Sequence, residues 1–217
     1  MENNLIPSYD SASIYPFCKC LSSSQFLLYE SNPQEFFMRY ELGVGGRMTP
    51  AMNLGRIFSA CYQNRSLDAK AILSENGFAP RIIELFIAAL ACFPVQKYGS
   101  PELPMRCEFN GWEFRATLDD YIEKTLTVIE NKTGQTEWNQ ERVNFSDQIT
   151  FQAWTHWKLK GIPPRKIILN WWNTKNRNLD VRTFKTSRSL GCLRNFDKRV
   201  EVVVQNIEAK NFTNPLY

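Results

Sequence analysis

The feature that most limits what this chain can fold into is a change of period just after its midpoint. From Trp112 the apolar positions alternate, with Trp112, Phe114, Ala116 and Leu118 on one face and Glu113, Arg115, Thr117 and Asp119 on the other. That two-residue period is the mark of a half-buried strand. A polar turn at Glu123-Lys124-Thr125 separates it from Leu126-Thr-Val-Ile-Glu-Asn-Lys132, a second β-rich run ending in Thr133-Gly134. Together the two runs predict a β-hairpin.

Helical spacings lie on both sides of it. Residues 1–20 read as an irregular lead-in and 21–95 as mainly helical, with two short helices interrupted at Asn32-Pro33, a glycine-rich break at 43–46, and helices over 52–62, 67–73 and 81–93. Pro94, Pro101 and Pro104 close that half. Beyond the hairpin the pattern predicts a helix over 147–159, strands over 165–172 and 179–185, and a helix over 189–209 with Leu193, Phe196, Val200, Val203 and Ile207 on one face. This order predicts one α+β domain over 1–217. Its mixed central sheet is flanked by helices and its N-terminal half is helical, with the sheet and its flanking helices in 105–210.

Apolar residues make up 43% of the chain and charged residues 22%, which excludes a disordered polyelectrolyte. A net charge of +4 suits a polyanionic partner without requiring one. No basic segment followed by an apolar run opens the sequence, and no stretch reaches the about 18 apolar residues of a membrane span. The expectation is a soluble, cytoplasmic protein with no membrane partner. The six cysteines form no CxxC pair and only one histidine exists, so a zinc ribbon is not expected and most cysteines read as buried small hydrophobes.

Chemistry concentrates at the hairpin. Glu130 and Lys132 stand two apart, as do Glu208 and Lys210, and Asp68 and Lys70. The latter two pairs fall in expected helices, where such positions diverge; in a strand, positions two apart share a face. An even loop centred between Lys124 and Thr125 sets Asp119 opposite Glu130, so that Asp119, Glu130 and Lys132 converge; a bulge would shift that register. Two carboxylates and the backbone carbonyl of Asn131 suit Mg2+ or Mn2+, hard cations that prefer oxygen. Lys132 is then placed to orient a water or stabilise charge on a phosphate. The plainer alternative is an exposed ion pair at a strand end, worth about 1 kcal/mol or less.

The surroundings carry a resemblance. Leu21-Ser-Ser-Ser-Gln-Phe and Asn32-Pro-Gln-Glu-Phe-Phe-Met-Arg-Tyr-Glu-Leu-Gly43 precede Ala116-Thr-Leu-Asp119, Val128-Ile-Glu-Asn-Lys-Thr-Gly134 and Asp147-Gln-Ile-Thr-Phe-Gln152. In this order, over residues 21–160, they resemble the RecB-like exonuclease branch of the PD-(D/E)XK nucleases, which also contains CRISPR-associated adaptation nucleases. The resemblance implies a restriction-endonuclease-like fold and a Mg2+- or Mn2+-dependent DNA exonuclease of repair, recombination, or phage and mobile-element DNA processing. It also implies Asp119 and Glu130 as metal ligands, Lys132 as catalytic lysine and Gln148 as a residue that positions the lysine or the DNA, with Asp120 the competing ligand if the register differs by one.

Three departures bear on activity. Where many members place a metal-binding histidine four residues after a helix glycine, Gly55 is followed at that distance by Ser59. The tyrosine usual four residues beyond the helix glutamine is Gln152, and the iron-sulfur cysteines of some relatives have no counterpart beside Cys192, so no cluster is expected. A catalytically silent fold that binds DNA or protein is the alternative these departures raise. Arg39, Arg56 and Lys158 are the candidate DNA-binding cations, with Lys160, Arg165, Lys166 and the basic stretch 175–188 as further phosphate contacts. His156 reads as structural or DNA-facing and Trp171-Trp172 as core. Single- or double-stranded DNA, a homo-oligomer, and a recombination or replication protein stand open as partners.

Overall fold

The computed structural model describes residues 19–45, 48–93, 99–100 and 102–213. All but the last two residues of the expected lead-in, together with Pro94 and Pro101, lie outside them.

Each N-terminal helix starts where a side chain satisfies free backbone donors. Ser22 and Gln25 form a reciprocal cap on α1 (Ser23–Ser31), and Asn32 caps α2 (Pro33–Tyr40) with proline in its first turn. The Asn32-Pro33 pair therefore ends one helix and starts the next. Thr49 caps α3 (Pro50–Gln63) and Asp68 caps α4 (Ala69–Glu75), while α5 (Pro80–Cys92) begins on a proline without a side-chain cap. Apolar periodicity starts after such caps, so it locates α3 and α5 a residue or two late.

The strands form two sheets, of which the second is the expected mixed central sheet. In the first, β1 (Cys20–Ser22) runs parallel and β2 (Leu103–Phe109) antiparallel to β3 (Trp112–Leu118). The second has the order β4 (Asp120–Ile122), β5 (Thr127–Gly134), β6 (Lys166–Asn173), β7 (Val181–Thr186), with β5 and β6 parallel and the outer pairs antiparallel. Asp119 is the hinge residue between β3 and β4, where one long strand leaves the first sheet for the second. Pro104, expected to close the helical half, instead sits in β2 opposite Thr117. β2 is an edge strand, and an edge tolerates a residue without an N–H.

Helices α6 (Gln140–Asn144), α7 (Asp147–Lys160) and α8 (Leu190–Glu208) complete the order. In α7 every residue from Ile149 to His156 is buried. It lies against Phe26, Phe114 and Phe196, with Phe114 and Trp154 centred 5.0 Å apart. A second core joins α3, α4 and α5 to Trp172 on the other face of β6, while Trp171 belongs to the first core. Gly55 lets α3 come close to β5: a Cβ there would stand 3.2 Å from Thr133 Oγ1. Of the described cysteines only Cys61 and Cys107 are buried; Cys20 and Cys192 are half-buried and Cys92 is exposed. The expectation that most are buried therefore fails, because a small side chain follows the face its element happens to present.

Arg188 ties the α6–α7 connection to the rest. It is buried and donates to Val143 O at 3.0 Å, Ser146 O at 3.2 Å and Thr150 Oγ1 at 2.8 Å. Replacing it by methionine fills the space but strands these acceptors. Arg188→Met should lose about 3 kcal/mol of unfolding free energy, read as a lower urea midpoint at unchanged slope. An unchanged midpoint would show that the carbonyls find other donors.

Candidate active site

The hairpin pairs Asp120 with Ile129, Tyr121 with Val128 and Ile122 with Thr127. Its centre lies between Lys124 and Thr125, with a 3-10 turn at Glu123–Thr125 and Leu126 in the left-handed region (φ 50°). Continued by one pair, the register sets Asp119 beside Glu130. Asp119 Oδ2 accepts the backbone N–H of Asn131 at 2.6 Å. Asp120 turns to the opposite face, where its carboxylate accepts from Tyr121 N at 2.8 Å and from the Tyr62 hydroxyl at 3.4 Å. The competing ligand is thus directed away from Glu130, and Asp119 toward it.

Glu130 is 3% exposed. Lys132 Nζ lies 2.5 Å from its Oε1, Gln148 Nε2 donates to the same oxygen at 2.7 Å, and Gln152 Nε2 donates to Oε2 at 2.6 Å. The hairpin supplies the ion pair and α7 the two amides, one turn apart on the same helical face. Gln152 is a site residue that the sequence reading treated only as a lost tyrosine. Its i, i+4 spacing from Gln148 was the signal available.

Burial, and then the neighbouring Glu130 charge, push the Asp119 carboxyl well above the usual carboxylate range, against the opposing pull of the Asn131 N–H and Lys132. Burial alone would lower Lys132, but Glu130 and Asp119 outweigh it and hold its ammonium above the usual lysine value. Above these groups opens a cleft of about 360 Å³, lined by Gly55 and Ser59 of α3 and by Asp119, Asn131, Lys132 and Thr133. Among the described residues no group of three or more His, Cys, Asp or Glu is arranged around a metal position. Asp119 and Glu130 therefore offer two carboxylates, supplemented by the Asn131 carbonyl. Such an oxygen-only set fits a hard divalent cation that completes its shell with water or substrate. The elevated Asp119 carboxyl fits it too, since a cation relieves the repulsion between the two acids.

No family model matches the chain, and no curated protein does. Solved structures do. An inferred exonuclease from Eubacterium rectale aligns with a TM-score of 0.61 over 88% of this chain and 79% of its own, at 14% identity. The protein SSO0001 aligns at 0.51 over 92% and 86%, at 13% identity. The chain shares its fold with these two structures. At such low identity the likeness concerns the backbone, and the site residues rest on their own geometry.

Within that fold Ser59 lines the cleft beside Asp119, and its hydroxyl accepts from Gln63 Nε2 at 2.9 Å. The three candidate DNA-binding cations do not line the cleft. Arg39 on α2 is ion-paired with Glu35. Arg56 follows Gly55 and donates to Asn53 Oδ1 at 3.2 Å. Lys158 lies 2.8 Å from Asp197 Oδ1 and 4.2 Å from the Phe109 ring centre, so its charge is engaged between α7, α8 and β2. His156 is fully buried between the Tyr121 hydroxyl at 2.9 Å and Ile162 O at 3.0 Å, and burial lowers its pKa. It is structural.

A raised folded-state pKa means that the folded protein holds a proton the unfolded chain has lost. Asp119 thus contributes stability fully at pH below the ordinary carboxylate value, and the contribution fades as pH rises toward its elevated value. Asp119→Asn removes that dependence. In EDTA, the melting temperature of this variant should exceed that of the wild type at pH 8 and approach it near pH 4; parallel melting curves across that range would contradict the assignment.

Proposed function

We propose that this protein is a Mg2+- or Mn2+-dependent deoxyribonuclease, an exonuclease that hydrolyses phosphodiester bonds at DNA ends in the cytoplasm, in repair, recombination, or phage and mobile-element DNA processing. One observation carries the reading: Asp119, Glu130 and Lys132 share one face of the hairpin beside an open cleft, with Gln148 and Gln152 fixing Glu130 from behind. The nuclease fold agrees with it.

Asp119, Glu130 and the Asn131 carbonyl would hold the cation. When bound, it supplies charge that polarises the phosphodiester and acidifies water. Lys132, fully charged, donates to a phosphate oxygen or orients the attacking water. Gln148 and Gln152 keep the Glu130 carboxylate from rotating. They also occupy the oxygens a cation must share, so metal affinity depends on how readily one amide yields.

The Lys132→Ala and Asp119→Ala variants should each lose at least about 100-fold in metal-dependent cleavage of linear DNA. Glu208→Ala, which removes bonds to Trp112 Nε1 and Lys19 Nζ and does not touch the cleft, should keep the wild-type rate. Wild-type rates in both site variants would exclude the site. End-labelled linear against circular substrates separates exonuclease from endonuclease.

Ser59 and Gln152, standing where the resemblance implies histidine and tyrosine, favour a second reading, a silent fold that binds DNA or protein. Absence of hydrolysis with either metal, while DNA is still bound, would support it. If the first reading holds, Ser59→His adds a nitrogen ligand at the cleft wall, and half-maximal activity should then need several-fold less Mn2+. An unchanged Mn2+ requirement would remove Ser59 from the metal's surroundings.

A further inference from the structure

On the outer side of Gln148 a groove of about 810 Å³ opens, lined among others by Trp138, Arg142, Phe145 and Arg199. The same Gln148 amide donates to Glu130 at 2.7 Å, so the groove comes within one side chain of the candidate catalytic carboxylate. Phe145 is 78% exposed, more than any other large apolar side chain among the described residues. It is not on a fraying end. Arg188 holds the carbonyls on both sides of it, Val143 O and Ser146 O, and Ser146 caps α7. A ring held out into water on a fixed backbone is a surface awaiting a flat apolar partner.

Next to Phe145 stands a second platform. The Arg142 guanidinium carbon lies 4.4 Å from the Trp138 ring centre, and Arg142 bonds a backbone carbonyl, Glu137 O at 2.9 Å. At Asn144, the last residue of α6, a depression of about 550 Å³ begins that is lined by Arg165, Lys166 and Lys185. All three are exposed, and none is in an ion pair with a described residue. The register puts Lys185 opposite Ile168, so it and Lys166 share one face. In contrast, Arg199 inside the groove is neutralised by Glu30 and Asp147. Aromatic faces thus line the groove beside α6, and cations unpaired among the described residues line the depression that begins at its last residue.

We infer that this surface binds an unpaired DNA strand at the end of the substrate, its bases stacking on Phe145 and on the Trp138–Arg142 pair and its phosphates lying along Arg165, Lys166 and Lys185. The inference rests on the nuclease reading for its substrate. What favours a nucleic acid over a protein occupant is the pairing of base-sized flat faces with a row of free cations, together with continuity with the cleft through Gln148. Bases offer flat apolar faces that any sequence possesses, so the contact is indifferent to sequence.

The test is fluorescence anisotropy with a labelled duplex bearing a single-stranded tail of about ten nucleotides against a blunt duplex of the same total length, in EDTA and in Ca2+. The wild type should bind the tailed duplex about ten-fold more tightly than the blunt one. Phe145→Ala should lose about that factor for the tailed duplex, Phe145→Trp should restore it, and neither should alter blunt binding or melting temperature. Arg165→Glu with Lys185→Glu should weaken both probes. Equal affinity of wild type and Phe145→Ala for the tailed duplex would overturn the inference. So would a shift from dimer to monomer in Phe145→Ala at unchanged tailed affinity, which would make a second copy the occupant. Failure of the nuclease reading is distinguishable: the wild type would cleave no substrate with either metal, whatever its preference for tails.

Discussion

A carboxylate cannot sit in a protein interior without compensation, and Glu130 at 3% exposure is where this chain meets that constraint. Its two oxygens are held by Lys132 from its own strand and by Gln148 and Gln152 from α7. That arrangement needs the hairpin and α7 at a fixed spacing. Much of the remaining structure maintains this spacing. The aromatic layer of Phe26, Phe114, Phe151, Trp154 and Phe196 packs α7 against the first sheet, and β6 pairs with β5 along its length. The polar cluster would be costly if either support moved, because half-satisfied buried groups destabilise more than apolar ones.

Asp119 adds an opposing tendency. Its carboxyl is pressed toward Glu130 at the point where one strand passes between two sheets, and burial and repulsion together raise its pKa. Such an arrangement costs stability in the absence of a cation and becomes favourable when one neutralises it. Strain of this kind at a cleft is a recognised feature of functional sites. The structure also separates roles that composition cannot. Lys158 and Arg188 spend their charges inside the fold, whereas Arg165, Lys166 and Lys185 stay exposed and unpaired among the described residues.

What the chain determines by itself is local. The alternation from Trp112 to Asp119, the Ser22–Gln25 and Asn32 caps and the stripe from Leu193 to Ile207 each rest on neighbours within a few residues, and the corresponding elements formed. The hairpin register belongs with them, since a four-residue connection leaves few choices. β1, β2 and α6 were not legible: three or five residues carry too little period, and Pro104 argues against a strand unless its edge position is known.

Only tertiary packing decided the rest. Which face of the hairpin is buried, and so whether Glu130 is withdrawn from water, depends on where α7 packs. The role of Gln152 depends on a helix folding back over a strand 22 residues away. Arg39, Arg56 and Lys158 looked alike in sequence to Arg165 and Lys185, because a basic side chain carries the same charge wherever it stands. Arg39 finds Glu35 through the i, i+4 spacing of its own helix, whereas Asp197 reaches Lys158 only because α8 packs beside α7. Sequence determines which groups can bond; distance in the folded chain determines which do.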